Sequence, residues 1–455
     1  MLYDFLLLNR ENGEPLCNQL YDGLRTGIQD GKLRAGEKLA SIREASAALS
    51  VSRTTVETAY GRLCLEGFIE ARPQSGYRVR QVQRSAASPA VQEEQAPHYD
   101  FTTSSVEPEA ADLLNWRKLV RAVLADELEV SSYGDPQGEM VLRQALSSYA
   151  FHARGVKAKP EQIFIGAGIG PLLQLLCPLL KTRPKVVMEC PGFTQAQQIF
   201  TDYGFPVVVC DAGQAGLPEE AEAMMTELPS LRPYMQPSAV AAHRAALTEW
   251  VSGSPGRYVL EDDYNGELHY KTRAIPAVQG ILPEKTIYLG SFSKLLLPSV
   301  RIAYMVLPEP LAELARGRLP MLNQTAGKTE QVALAEYIRS GLLEKHLRRL
   351  RRLYAKKSQI MAESLQEVFG WDCSYSLHET SLSFLADFQL EHWDADSAQR
   401  MVRAARTVGV ACRPAPGAGS DPGHTQLILG FSGIPTAKIP DGIALLGRAW
   451  GPMLR

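Results

Sequence analysis

Three stretches near the start of the chain carry apolar residues at helical spacing. The first helix is predicted from Leu16 to about Asp30, because every fourth residue from Leu16 to Ile28 is apolar. Ser41 and Ser52 are suited to be the N-caps of a second and a third helix. The apolar face of the third helix is made of Val56, Ala59, Tyr60 and Leu63. Two short strands are predicted to follow, at about residues 68–71 and 77–79, joined by the tight turn RPQSG.

A different pattern begins at about residue 98. Short apolar runs bounded by Gly, Pro or charged residues alternate there with amphipathic helical patterns. The apolar runs are QIFIGAG, KVVMEC, PVVVCD, RYVLEDDY, KTIYLGS and RIAYMVL. This alternation predicts an α/β architecture built on a largely parallel sheet. Ligands of such sheets bind at the carboxyl ends of the strands, so the residues that follow each run are candidates for a site.

The segment from Gln81 to Pro97 separates the two patterns. It is rich in Ala, Ser, Gln and Pro and has no apolar periodicity, which is typical of a linker. The sequence therefore predicts a multidomain protein. Its parts are a mostly helical domain at residues 1–80, a linker at 81–97 and an α/β domain at 98–455.

Charge is distributed unevenly over these parts. The whole chain of 455 residues has a formal net charge of −2. Residues 31–80 carry nine Lys or Arg and five Asp or Glu, a net charge of +4. This local excess of positive charge is compatible with an anionic partner for the first domain.

Composition excludes several classes of protein. Apolar residues make up 45% of the chain and charged residues 22%, as in ordinary globular proteins. No apolar stretch reaches the roughly 18 residues that a membrane span needs. The seven cysteines form no C-x-x-C pair or Cys/His cluster, so we expect neither a disulfide framework nor a metal site. The opening residues lack the features of a signal peptide, and we expect a cytoplasmic protein that does not enter the membrane.

Three short helices followed by two strands predict a winged helix-turn-helix in the first domain. The first turn of its third helix offers hydroxyl and guanidinium groups that suit phosphates and base edges, on Ser52, Arg53, Thr54 and Thr55. Arg43 on the preceding helix is placed to hold a phosphate, and Gly76 lets the wing approach the minor groove closely. The alternative interpretation is a small helical bundle with a solvated polar face.

Polar residues also follow two strands of the predicted sheet. Asp262 and Tyr264 come after RYVL, and the residues after KTIYLG are Ser291, Ser293, Lys294 and Arg301. Pyridoxal 5′-phosphate (PLP) needs a lysine amine, an acid at its pyridine nitrogen, a phenol at its ring hydroxyl, and Arg and Ser at its phosphate. A lone lysine after a strand is usually a solvated surface residue, and EDDY alone also fits a turn or a metal site. The combination, in this order, favours a PLP site.

Residues 15–80 resemble the DNA-binding domain of the GntR family of transcriptional regulators. The resemblance is carried by the S-I-R-E block and by S-R-T-T-V-E-x-A-Y at the family's spacing. It implies that operator DNA is contacted by Arg43, Arg53, Thr54, Thr55 and Gly76, with Ser52 as a further candidate.

Residues 98 to about 450 resemble a fold-type I, PLP-dependent aminotransferase domain, with SFSKLLLPSVR as the lysine block. The two domains together resemble the MocR subfamily of GntR regulators. This implies that Lys294 forms the Schiff base with PLP, Asp262 holds the pyridine nitrogen and Tyr264 the ring hydroxyl. The residues implied for the phosphate and the ring are Ser291, Ser293, Arg301, Gly168, Phe193 and Tyr133. Tyr133 is expected to reach the neighbouring subunit of a head-to-tail homodimer.

The chain departs from the aminotransferase pattern at several positions. Gly170 and Pro171 stand where relatives commonly have two glutamines, and the P-S-H-Q-x-P-x-G block is shortened to LRPYMQPSAVAAHRAAL. Gln195 and Ile428 stand where relatives carry carboxylate-binding arginines. Arg413 is our candidate for binding the carboxylate of an amino-acid effector, the alternative being a solvated loop charge. These departures weaken the case for full catalysis more than the case for cofactor binding.

Three functions are therefore weighed. The first is a transcriptional regulator that binds operator DNA and uses PLP, or an aldimine of PLP with a small amino compound, as its effector. The second is an active PLP-dependent aminotransferase with an N-terminal helical extension, and the third is a DNA-binding dimer whose cofactor site is vestigial. Whether the protein is an enzyme stays open, with at most partial transamination expected.

A basic stretch from Lys345 to Lys357 is a further candidate. Its apolar positions are Leu343, Leu347, Leu350 and Tyr354, which fits an amphipathic helix whose wet side is basic. A second DNA contact surface is the alternative interpretation.

Overall fold

The structure, a computed structural model, divides the chain into two units, Met1–Gln95 and Ala96–Arg455. The residues it describes are 3, 5–6, 8–9, 14–72, 75–80, 97–102, 105–107, 110–180, 184–190, 193–211, 221–226, 237–263, 265–271, 275–378, 382–415 and 423–454. The predicted linker, apart from Pro97, lies outside these residues, as do two residues of the predicted RPQSG turn. The domain boundaries therefore stay a prediction.

The smaller unit is a winged helix-turn-helix, as predicted. Its elements are α1 (Leu16–Gln29), α2 (Ile42–Leu49), α3 (Arg53–Leu65), β1 (Ile69–Arg72) and β2 (Gly76–Val79). The two strands pair antiparallel, and the first begins and ends one residue later than the pattern indicated. The apolar stripes of the helices meet in one core that includes Leu20, Leu24, Val56, Tyr60 and Leu63.

Local sequence explains where α2 and α3 begin and end. The Ser41 hydroxyl accepts from the Glu44 backbone N–H at 3.2 Å, and the Glu44 carboxylate accepts from the Ser41 N–H at 2.9 Å. This reciprocal capping box fixes the start of α2. Ser50 ends α2 with a left-handed φ of 54°, which turns the chain toward the Ser52 cap of α3.

The larger unit begins with β3 (Tyr99–Asp100) and contains an α/β sheet. The strands of this sheet are β4 (Ile163–Gly166), β5 (Val186–Cys190), β6 (Val207–Asp211), β7 (Ala223–Thr226), β8 (Tyr258–Asp263), β9 (Thr286–Ser291) and β10 (Ala303–Val306). Their spatial order is β4-β10-β9-β8-β7-β5-β6, and β10 runs antiparallel to both of its neighbours. All six predicted strands are present, and β7 is an addition that the sequence analysis missed.

Helices lie on both faces of this sheet. The helices of this part of the chain are α4 (Leu113–Leu124), α5 (Glu127–Val130), α6 (Met140–Arg154), α7 (Ile169–Leu176), α8 (Thr194–Asp202), α9 (Pro237–Ser252), α10 (Glu309–Arg316) and α11 (Lys328–Arg339). Of these, α7 packs on β4 and β10, and α9 packs on β8. Successive residues of β5 enter different apolar clusters, Val186 and Met188 on one face and Val187 on the other. Burial of both faces is what a largely parallel sheet requires.

The long helix α12 (Leu342–Phe369) leads from this layer to a smaller antiparallel sheet. The remaining elements are β11 (Cys373–His378), β12 (Ser383–Gln389), α13 (Ser397–Thr407), β13 (Val410–Ala411), β14 (Arg413–Pro414), β15 (His424–Gly430) and α14 (Ile439–Trp450). The order of the smaller sheet is β11-β12-β15-β14, and β13 pairs with β3. Among the residues described, no helix combines the length and the apolar character needed to cross a bilayer.

Candidate functional site

The first turn of α3 presents short polar side chains to solvent. The Ser52 hydroxyl accepts from the Thr55 N–H at 3.1 Å and lies 2.8 Å from the Thr55 hydroxyl, so it is engaged as the helix cap. Arg53 and Thr54 are exposed, whereas Thr55 is half-buried. Arg53 and Thr54 are therefore the exposed side chains of this turn that take no part in the cap, and the DNA contact predicted for Ser52 stays a prediction.

The other predicted DNA contacts lie on α2 and at the wing. Arg43 is exposed on the first turn of α2. Gly76 opens β2 with φ +83°, a left-handed conformation that side chains disfavour. The exposed Lys38 lies beside it, since a β-carbon built on Gly76 would sit 3.6 Å from the Lys38 Cε. Lys38 was missed by the sequence analysis, because its pairing with the wing is not visible in a local pattern.

In the larger unit, β10 brings two strand ends together. Ala303 pairs with Gly166 at the end of β4 and with Ser291 at the end of β9. Arg301, two residues before Ala303, has a left-handed φ of 51° and lies at the start of β10. The polar residues after β4 and β9 therefore converge on the start of β10.

Gly168, after β4, and Arg301, before β10, lie side by side where these two strands meet. Gly168 has a φ of +100°, which favours glycine, and a β-carbon there would lie 2.6 Å from Nη2 of Arg301. Gly168 is also the residue before α7, whose first N–H groups point toward this place. A backbone turn, a helix start and a guanidinium together are the donor set that binds a phosphate.

The lysine and the aspartate are buried at the ends of neighbouring strands. Lys294 follows β9 and is 8% exposed, and Asp262 in β8 is 2% exposed and opposite Leu289 of β9. Ser293 contacts Ser291 through its hydroxyl at 3.3 Å and its N–H at 3.3 Å. Tyr264 lies outside the described residues, so its predicted role stays a prediction.

A network of buried charges extends from the end of β8. The Arg154 guanidinium donates to Asp263 at 2.6 Å, and the Tyr288 hydroxyl donates to the same carboxylate oxygen at 2.9 Å. The Tyr149 hydroxyl donates to Glu267 at 2.9 Å. Burial, with the nearby Asp263, raises the pKa of Glu267 to about 7. Burial alone would lower the pKa of Arg154, but the attraction of Asp263 raises it above its usual value.

Comparisons with known proteins divide the chain in the same way. The sequence profile of the bacterial regulatory proteins of the gntR family matches residues 16–79, and that of aminotransferase class I and II matches residues 104–425. The uncharacterized HTH-type transcriptional regulator YhdI of Bacillus subtilis (strain 168) is 31% identical over 465 residues, with 98% of each chain covered. The probable rhizopine catabolism regulatory protein MocR of Rhizobium meliloti is 27% identical over 487 residues, covering 98% of this chain and 96% of that one. This chain belongs to the GntR family of regulators and is of the MocR type.

A solved structure shows the fold of the larger unit of this MocR-type regulator. Kynurenine aminotransferase of Pyrococcus horikoshii aligns with a TM-score of 0.65 at 21% identity, covering 79% of this chain and 92% of that one. The larger unit is therefore a fold-type I aminotransferase domain, as the resemblance implied.

The residues present fit PLP in this MocR-type regulator. The cradle of Gly168 and Arg301 suits the phosphate, buried Asp262 suits the pyridine nitrogen, and buried Lys294 supplies an amine. Phe193 is half-buried directly before α8, and Tyr133 is fully exposed in the single chain. The predicted role of Tyr133 at a subunit interface stays a prediction.

The effector candidate Arg413 of the regulator lies on the other sheet. It is exposed in β14 and pairs across the ladder with Ile428 of β15. The isoleucine that replaces the usual carboxylate arginine thus has an arginine directly beside it on the next strand. This placement was not visible in the sequence, where the two positions are 15 residues apart.

Sequence reasoning missed two residues that support the edge. Arg154 pairs with Asp263, which is more than a hundred residues away along the chain. Thr325 accepts a hydrogen bond from the Ala167 N–H at 3.0 Å and so holds the turn before Gly168. Neither contact leaves a signal in local spacing, because both join elements distant along the chain.

Proposed function

We propose that this MocR-type regulator binds double-stranded operator DNA through its winged helix, as a cytoplasmic homodimer, with PLP as its effector, alone or joined to a small amino compound. The observation that carries the proposal is the presence on one chain of a capped helix start with exposed Arg53 and Thr54, and of a Gly168–Arg301 cradle beside buried Lys294. A protein that only bound DNA would not need the second feature, and a protein that only bound PLP would not need the first.

On DNA, Arg53 and Thr54 would contact phosphates and base edges in the major groove. The free N–H groups and the dipole of α3 favour a phosphate at the same place. Arg43 adds a phosphate contact, and Gly76 with Lys38 lets the wing approach the minor groove.

In the larger domain, the chain's own residues bind and orient the cofactor. Arg301, Ser291, Ser293 and the N–H groups after Gly168 hold the phosphate, while Asp262 keeps the pyridine nitrogen protonated. Phe193 would stack on the ring, Tyr264 would bind the ring hydroxyl, and Lys294 would supply the amine. When bound, PLP supplies an aldehyde that reacts reversibly with primary amines. An effector changes DNA affinity only by the difference in its own affinity for the free and DNA-bound forms.

The cofactor part is tested by the visible absorption spectrum of the purified protein with added PLP, before and after borohydride reduction. We expect an absorption band that reduction fixes covalently and that Lys294→Ala lacks. An unchanged spectrum in both proteins would support the vestigial-site alternative. In that case Lys294→Ala also leaves DNA affinity and effector response as they are.

The DNA part is tested by fluorescence anisotropy with the protein's own upstream DNA and a scrambled duplex. We expect Arg53→Ala to reduce affinity for the upstream DNA by about ten-fold or more while sparing the scrambled duplex, since a specific contact contributes about 1–3 kcal/mol. Equal binding of both duplexes by the unaltered protein would argue against the proposal.

A transamination assay distinguishes the proposed regulator from an active aminotransferase. Ile428 in place of an arginine and the shortened polar block predict no sustained transamination with any pair from a panel of amino donors and keto acids. Steady turnover would favour the aminotransferase, and substitution of Arg413 would then show which residue binds the carboxylate.

The dimer is supported by large apolar side chains that are exposed in the same stretch of chain as Tyr133, among them Leu114 on α4 and Leu128 on α5. We propose a head-to-tail arrangement in which Tyr133 reaches the phosphate of the neighbouring subunit. Sedimentation of the intact protein should give twice the chain mass of 50.0 kDa, and Leu128→Asp should shift it toward one chain mass.

A further inference from the structure

Seven basic residues lie between Lys345 and Lys357 on α12, and no acidic residue lies among them. The structure sorts them into two groups. The inner group is Arg349, Arg351 and Lys357, and the outer group is Lys345, Arg348, Arg352 and Lys356. The two groups differ in what their side chains contact, so they have different roles.

The inner three side chains bind acceptors within the domain. Arg349 donates to the Ala110 carbonyl at 2.7 Å, and Arg351 donates to the Glu267 carbonyl at 2.8 Å. Lys357 is fully buried, is paired with Glu107, and donates to the Ile434 carbonyl at 2.7 Å. These contacts stabilise the fold and account for the three positive charges of the inner group.

The outer four side chains are all exposed and lie on one face of the helix. At about 3.6 residues per turn they fall within an arc of about 80°. Of the four, within the described part of the chain, only Arg348 makes an ion pair, an exposed one with Glu344 at 3.5 Å. We call these four residues the α12 basic stripe.

The α12 basic stripe is unfavourable for the helix itself. Arg348 and Arg352 are four residues apart, as are Arg352 and Lys356, and like charges at this spacing destabilise a helix by about 0.2–0.5 kcal/mol per pair. An acidic residue at position 352 would turn both repulsive pairs into attractive ones. Negative charge from outside the domain would relieve this repulsion.

Both signs of charge lie near the C-terminal end of the stripe. The short turn Thr436–Lys438, which carries the exposed Lys438, packs on α12. Two residues of this turn share a hollow with Lys356, Glu363 and Glu367. Along α12 itself the nearest acidic residues are Glu344 before the stripe and Glu363 after it. Lys345 and Lys356 are about 16 Å apart along the helix, a length over which one strand of B-DNA presents about five phosphates.

We infer that the α12 basic stripe is a second DNA-binding surface, which contacts the phosphate backbone without regard to sequence, outside the segment that the winged helix reads. The inference rests on the proposed binding of operator DNA, because that DNA is the polyanion this chain is proposed to bind. The stripe adds affinity and salt dependence, whereas specificity stays with α3.

The test is the salt dependence of binding to a long duplex that extends beyond the operator on both sides. The quadruple variant Lys345→Gln, Arg348→Gln, Arg352→Gln, Lys356→Gln removes the stripe. Each phosphate contact contributes about 0.9 to the slope of log affinity against log salt concentration, so the slope should fall by about 3 to 4. Affinity at low salt should drop at least ten-fold for the operator and for a scrambled duplex of the same length.

The matched control removes four exposed charges elsewhere in the same domain: Arg318→Gln, Arg403→Gln, Arg406→Gln, Arg448→Gln. It changes the net charge equally and should alter the slope by less than one. A variant that exchanges Lys and Arg within the stripe should bind as the unaltered protein does. Thermal unfolding should be as cooperative in the stripe variant as in the parent, since no buried contact is lost.

The outcomes separate the two proposals. A stripe variant with the slope of the parent or of the charge-matched control would overturn the second surface, even while Arg53→Ala still lost operator preference. If the parent itself showed no operator preference, the proposed function would fail instead. A stripe that binds a protein or a second copy of this chain would likewise leave the salt slope on DNA unchanged and overturn the inference.

Discussion

Gly168 is the residue whose backbone matters most to the proposed phosphate site. Its φ of +100° disfavours any side chain, and a β-carbon there would lie 2.6 Å from Nη2 of Arg301 and displace the guanidinium. Gly168→Ala should strain the turn by about 1–3 kcal/mol and displace the guanidinium. We expect PLP affinity, measured by absorption titration, to fall at least ten-fold.

The control for that substitution is Gly256→Ala, because no atom lies within 4 Å of a β-carbon there and its φ is not left-handed. This variant should titrate with PLP as the parent does. Equal affinities for Gly168→Ala and the parent would show that Gly168 and Arg301 do not hold the phosphate.

Arg154 and Arg403 provide a comparison of a buried and an exposed ion pair. Arg154 and Asp263 are almost completely buried, whereas Arg403 and its partner Asp396 are largely exposed. Arg154→Met leaves Asp263 without its counterion and should lower the free energy of unfolding of the larger domain by about 3–5 kcal/mol. Arg403→Met should lower it by less than about 1 kcal/mol. Urea unfolding measures both, and similar losses would contradict the assignment.

At the scale of the element, the cap of α3 joins stability to DNA binding. Ser52→Ala removes the acceptor for the Thr55 N–H and should lower the stability of the winged helix by about 0.5–2 kcal/mol. Ser52→Asp keeps a good cap but places a negative charge where a phosphate is expected.

The two variants should therefore separate two properties. Ser52→Ala should lower the melting temperature and weaken DNA binding modestly, while Ser52→Asp should melt as the parent does and bind DNA at least ten-fold more weakly. Normal DNA binding by Ser52→Asp would remove the first turn of α3 from the interface.

Helices and strands could be predicted from the sequence where a local apolar periodicity or a helix cap defined them. The α3 stripe of Val56, Ala59, Tyr60 and Leu63 and the Ser41 and Ser52 caps appear as expected, and so do the six apolar strands. The four-residue strand β7 was missed because a run that short carries too little periodicity. Contacts such as Arg154 with Asp263 were missed because only the folded sheet brings them together.

At the scale of the whole molecule, pH should act through the buried network at the end of β8. Glu267 is surrounded by Asp263, Arg154 and Tyr149, and the Arg351 side chain binds its carbonyl. Its pKa is about 7 in the folded chain against 4.5 for the ordinary group, so the folded state holds the proton more tightly. The stability that it contributes is complete below pH 4.5 and is lost as pH rises through about 7.

Glu267→Gln mimics the protonated carboxyl at every pH. Between about pH 5 and pH 7 the parent should lose stability relative to this variant, by up to about 1.4 kcal/mol per pH unit at the steepest point. Urea unfolding at a series of pH values measures the difference. The exposed Glu336→Gln is the control and should show a constant difference, and a constant difference for Glu267→Gln as well would contradict the network.

The position of β10 between β4 and β9 also sets the order in which the domain is made. β4 lies at the edge of the sheet with β10 as its partner, yet β10 is the last strand of that sheet in the chain. During synthesis β4 therefore stays unpaired until more than a hundred further residues have been made. Pairing between strands so far apart along the chain is slow. The winged helix is complete long before, so a nascent chain acquires this domain first, and the proposed PLP site can form only after Arg301 and β10 have emerged from the ribosome.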